Sequence, residues 1–88
     1  MDFMWEKGEY ENFKLQFCAD QNFPAERILT IPLLPFFISR GSYTPNIFIW
    51  AMLRFIEYNN GILYWRVAAF ENMLPVAYSN TRSFSIEQ

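Results

Sequence analysis

The stretch TPNIFIWAMLRFIEYNNG, Thr44 to Gly61, decides the fold class, because it can be read two ways. Asn60-Gly61 would suit the turn of a hairpin joining two strands. Against that, some 15 residues would make a long strand, and Ala51-Met52-Leu53 favours helix. The ends agree with a helix. Thr44 is an N-capping residue type, Pro45 suits the first helical position, and Gly61 can take the left-handed conformation that closes a helix. The spacing therefore predicts a helix over 45–59. Asn46, Trp50, Arg54 and Glu57 fall on one of its faces. Three of these four are polar, so that face is expected to look outward and carry Trp50 toward water, with Arg54 one turn on.

On either side of this helix the apolar pattern changes to a period of two. In NFKLQF, Phe13, Leu15 and Phe17 alternate with Lys14 and Gln16, as a half-buried strand requires. Phe3 and Trp5 alternate in the same way and are expected to pair with it across Gly8 as a hairpin, with WEKGEYE (Trp5–Glu11) at its tip. In ILYWRVAAF (62–70), one side carries Leu63, Trp65, Val67 and Ala69 and should meet the helix. The other side carries Tyr64, Arg66 and Phe70. After Pro75, VAYS and RSFSIEQ suggest a last hairpin with Phe84 and Ile86 inward. Between the strands, Asn22 and Pro24 open a short helix over 24–29, 27–31 reads as strand or short helical turn, and Pro32 and Pro35 imply irregular chain to 38. The expected fold is α+β: a small antiparallel sheet of four to five strands with one principal helix, about 45–59, on one face. Eighty-eight residues allow a single domain, 1–88.

Composition narrows the function. Phe, Tyr and Trp number 18, against 17 for Leu, Ile and Val, and each ring hides roughly 150–250 Å² when buried. A core this small cannot readily enclose them all, so some rings are expected at an interface. Nine acids against seven bases give a net charge of −2, which speaks against nucleic acid. Most of the acid lies within residues 1–26. With no histidine and one cysteine, the chain lacks the commonest general base and the commonest zinc ligand, and cannot build a Cys/His site. Catalytic, cofactor and metal residues are therefore all expected to be none.

The apolar runs 28–38 and 47–56 are too short to span a membrane, and the first residues do not resemble a signal peptide, so a cytoplasmic protein is expected.

What remains is binding. The expected function is a small acidic module that occupies a partner protein's surface, an inhibitor or neutraliser. Size, acidity and composition are analogous to anti-defence and immunity proteins. A basic partner surface would suit it. The candidate contact residues are Trp5, Glu6, Glu9, Tyr10 and Glu11 at the tip, Trp50 and Arg54 on the helix, and Tyr64, Arg66 and Phe70 on the mixed strand face. Arg40, Ser42 and Thr44, just before the helix, form a possible anion site. The alternatives are an accessory subunit or homodimer, and a small-ligand carrier with an aromatic-lined pocket.

Overall fold

A computed structural model of the chain describes residues 2–32, 36–55 and 61–85. Its strands are β1 (Phe3–Met4), β2 (Asn12–Cys18), β3 (Leu29–Ile31), β4 (Ser42–Tyr43), β5 (Ile62–Glu71), β6 (Leu74–Tyr78) and β7 (Arg82–Ser85). Among the described residues, a single 3-10 turn, Ala25–Arg27, follows Pro24, and one helix, α1 (Ile47–Phe55), lies between β4 and β5. The fold is α+β, with an antiparallel five-stranded sheet and a second sheet of two strands.

β5 organises the larger sheet. On one side it pairs with β2 along the whole of β2, from Asn12 opposite Phe70 to Cys18 opposite Tyr64. On the other side β7 pairs with its first four residues and β6 with its last four. Ser79 fills the gap between them, donating its N–H to the Val67 carbonyl and accepting the Val67 N–H on its hydroxyl, both at 2.8 Å. The turn from β5 to β6 is two residues, Asn72 and Met73, both at positive φ (52° and 70°). That geometry matches the right-handed twist of the flanking strands.

The alternating residues of β2 and β5 meet in one cluster. Phe13, Leu15, Phe17, Leu63, Trp65, Val67, Ala69 and Phe84 are buried together with Phe3 from β1 and Leu53 from α1. The Leu63/Trp65/Val67 side of β5 thus faces the helix, as its wholly apolar character requires.

Four expectations are corrected. First, residues 3–5 do not form a hairpin with β2. β1 pairs with β4, Phe3 opposite Tyr43, and Trp5 N–H bonds to the Gly41 carbonyl at 2.9 Å. This approach is so close that a β-carbon on Gly41 would lie 2.8 Å from the Trp5 carbonyl oxygen. Second, β6 and β7 both join β5 rather than each other, because β5 is long enough to offer each a separate stretch. Ile86 lies outside the described residues.

Third, α1 begins at Ile47, not Pro45. Asn46 is the cap: its Oδ1 accepts the Ile49 N–H at 2.9 Å and its carbonyl accepts the Trp50 N–H at 3.0 Å. The expected end of the helix, 56–59 with Glu57 and the Asn59-Asn60 stop, lies outside the described residues. Fourth, α1 is rotated from the expected setting. Trp50 turns inward, its indole 6.1 Å from the Phe3 ring and 6.2 Å from that of Phe84. Of the three polar markers that suggested an outward Trp50, Asn46 is a cap and not a face residue and Glu57 lies outside the described residues, which leaves Arg54 alone. Four residues advance about 40° around a helix beyond a full turn, enough to leave Arg54 exposed beside an inward Trp50.

Candidate partner-binding surfaces

Turning Trp50 and Leu53 inward leaves the opposite side of α1 apolar as well. Ile47, Phe48 and Phe55 are 77%, 76% and 89% exposed, and Ala51 and Met52 lie exposed between them. The spacing 47, 51, 55 and 48, 52, 55 puts all five on one continuous stripe. Only Arg54 supplies charge on the described helix. Sequence reasoning missed this stripe although IFIWAMLRF announces it: a helix apolar on every side is either fully enclosed or meets something else.

The sheet's other face holds a different arrangement. β2 is not half-buried as expected; every residue from Phe13 to Cys18 is buried. The segment after β2 and the chain near Phe37 fold over its second face, so Lys14 and Gln16 are enclosed. Lys14 is 3% exposed, its Nζ donating to the Pro32 carbonyl at 2.9 Å and lying 4.8 Å and 5.8 Å from the ring centres of Phe37 and Phe70. The Phe37 and Phe70 rings pack against each other at a tilt of 57°, their centres 5.3 Å apart. Burial holds the Lys14 pKa below its ordinary 10.5. The unfolded chain therefore binds this proton more readily, and stability should rise with pH between the lowered folded pKa and 10.5. Tyr43, whose pKa burial raises above 10.0, opposes this only beyond that pH. Lys14→Met is expected to flatten that rise below pH ~10 when urea unfolding is followed across pH. An unchanged slope would mean that Lys14 is not the group responsible.

Arg66, opposite Gln16 on the same face, is half-buried. Its Nε donates to Gln16 Oε1 at 2.7 Å, and its guanidinium carbon lies 4.4 Å from the Phe23 ring centre and 4.2 Å from that of Tyr78. Tyr64 and Phe70, also half-buried, flank it along β5. Gln16, Phe23 and Tyr78 were not foreseen as parts of one site, because they come from three separate segments.

The acidic tip is less distinct. Glu6, Glu9 and Glu11 are exposed, but Trp5 and Tyr10 are only partly so and pack against the core. Trp5 lies 5.8 Å from Phe13, and its Nε1 is buried without a hydrogen-bond partner among the described residues. A tight turn, Tyr10 N–H to the Lys7 carbonyl at 3.2 Å, carries Gly8 at φ 59°. WEKGEYE thus links the small sheet to the large one instead of tipping a hairpin. Arg40, Ser42 and Thr44 lie on the chain that leads into α1. Thr44 Oγ1 donates to Asp2 Oδ1 at 2.7 Å, which puts a carboxylate where the anion would sit, and Ser42 lies in β4 opposite Met4.

A cavity of about 190 Å³ opens between the tip and β6, lined by Trp5, Tyr10, Phe13, Val67, Ala77 and Tyr78 among others. It is smaller than the roughly 300–1,000 Å³ of most small-molecule sites. No helix among the described residues is long and apolar enough to cross a membrane. No family model, curated protein or solved structure matches the chain.

Proposed function

We propose that this protein is a protein-binding module that occupies a partner's surface through the outward stripe of α1, with no catalytic step of its own. The observation that carries this reading is the exposure of Ile47, Phe48, Met52 and Phe55 on one side of a helix whose other side is already packed. Large apolar groups grouped in this way are what interfaces cover. A helix laid into an apolar groove is the corresponding mode of contact. The excess of acid in residues 1–26 would favour a partner with basic surface nearby, and rim charges of that kind act chiefly on the rate of association. An inhibitor or neutraliser of the anti-defence or immunity kind, working in the cytoplasm, is the finer form of this proposal.

The test is affinity capture from the native host, with wild type and the double variant Phe48→Glu/Phe55→Glu as baits. Both side chains are more than three-quarters exposed, so the variant should keep its circular dichroism and melt within a few degrees of wild type. It should lose the captured partner entirely. Capture of the same partner by both baits would remove α1 from the interface. A wild-type dimer in light scattering that becomes monomeric in the variant would replace the heteromeric reading with a homodimer.

A further inference from the structure

Arg66 lies on the face of the sheet opposite α1, so what it does is independent of the helix. We propose that Arg66 is an oxyanion-binding residue whose two terminal nitrogens take a single carboxylate group, with the rings of Phe23 and Tyr78 as walls.

Three features of the guanidinium support this. It is fixed before any ligand arrives: Gln16 Oε1 holds Nε at 2.7 Å, and two rings lie against its central carbon at 4.4 Å and 4.2 Å. Restraint of this kind lowers the ordering cost of binding. The fork is also unspent. Of the five N–H donors on an arginine, the Gln16 bond takes one, and Nη1 and Nη2 have no hydrogen-bond partner among the described residues. Finally, the strand positions beside it supply no counter-charge among the described residues. The outward positions of β2 and β5 around it are Lys14, Gln16, Tyr64 and Ala68, none of them acidic, although the chain as a whole has more acids than bases.

The same surroundings select the ligand. Lys14 is enclosed and bonded to Pro32, so Arg66 offers one cation and one pair of parallel N–H groups. That matches a planar monoanion bound end-on, and falls short of what a phosphate dianion requires. Aromatic walls further favour a carboxylate attached to a flat or apolar body.

The experiment is a titration of the isotope-labelled full chain with sodium benzoate, followed by the arginine Nε and Nη resonances. Sodium chloride and inorganic phosphate serve as controls at matched ionic strength. Arg66 is expected to shift and saturate at millimolar benzoate, while Arg27, Arg40, Arg54 and Arg82 move only as they do in chloride. Arg66→Lys keeps the charge without the fork and should weaken binding at least about tenfold. Tyr78→Leu removes a half-exposed wall and should weaken it about three- to fivefold, which serves as the test if the Lys variant does not fold. A blocked glutamyl peptide with a neighbouring phenylalanine distinguishes the source: tighter binding than benzoate assigns a protein side chain, and weaker binding a small carboxylate. The proposal is overturned if Arg66 moves no more than the other arginines, if phosphate saturates the site more tightly than benzoate, or if the folded variants bind benzoate as wild type does.

Discussion

Phe3→Ala should cost about 3–5 kcal/mol, a large share of the stability expected of a domain this small. Phe3 is 1% exposed, and its ring meets four others: Trp65 at 4.8 Å, Phe17 and Phe84 each at 5.3 Å, and Trp50 at 6.1 Å. Three of these contacts are edge-on, the geometry in which the positive rim of one ring faces the negative face of another. The ring therefore joins the short β1–β4 sheet to β2, β5, β7 and α1 at one point. Removing it leaves a cavity walled by large rings that cannot collapse into the space. Urea unfolding monitored by tryptophan fluorescence gives the value. A loss below about 1 kcal/mol would show that β1 is not docked on the core.

Leu53→Ala is expected to cost about 2–5 kcal/mol and to act locally before it acts globally. Leu53 is the fully buried side chain of α1 among the described residues; Ile49 and Trp50 only lean on the core beside it. The nine described residues of α1 are too few to hold a helix in water without such an anchor. Hydrogen exchange should show the amides of α1 losing protection while those of β2 and β5 keep most of theirs. If α1 and β5 lose protection together, the helix and the sheet form one cooperative unit. The consequence for function is direct. The stripe from Ile47 to Phe55 is presented in a fixed direction only while Leu53 is seated.

Those elements that declared themselves in a single window were legible in the sequence. The alternation in 12–18 and 62–70 located β2 and β5 and the inward side of β5, and the Ala51-Met52-Leu53 run settled helix over hairpin. What joins distant segments left no local trace. Residues 3–4 alternate convincingly with their neighbours, yet their partner is at 42–43, and nothing in either pair specifies the other. The rotation of α1 was misread because Asn46 was counted as a face residue when its amide closes the helix end. Lys14 and Gln16 looked solvated because alternation reports which side of a strand is apolar, and not whether a later loop covers the polar side. Arg66 was foreseen as a contact residue. Its setting was not, because Gln16, Phe23 and Tyr78 reach it from three parts of the chain.

The central position of β5 also dictates an order of assembly. Its pairing with β6 closes across two residues, Asn72 and Met73, and a loop so short can form in about 1–10 μs. β7 reaches β5 from only a few residues beyond β6. β2 must come from the far side of the helix, with Cys18 meeting Tyr64 across the whole intervening chain. Closing that loop costs chain entropy before any of its pairs is formed, so the step is slow relative to the hairpin. A nucleus made of the 62–85 segment would expose the Leu63/Trp65/Val67 side until β2 arrives, and during synthesis β2 is already present when β5 emerges. In refolding and in synthesis alike the same intervening chain must close before β2 covers β5, so in both the apolar face of β5 stays exposed until that loop forms.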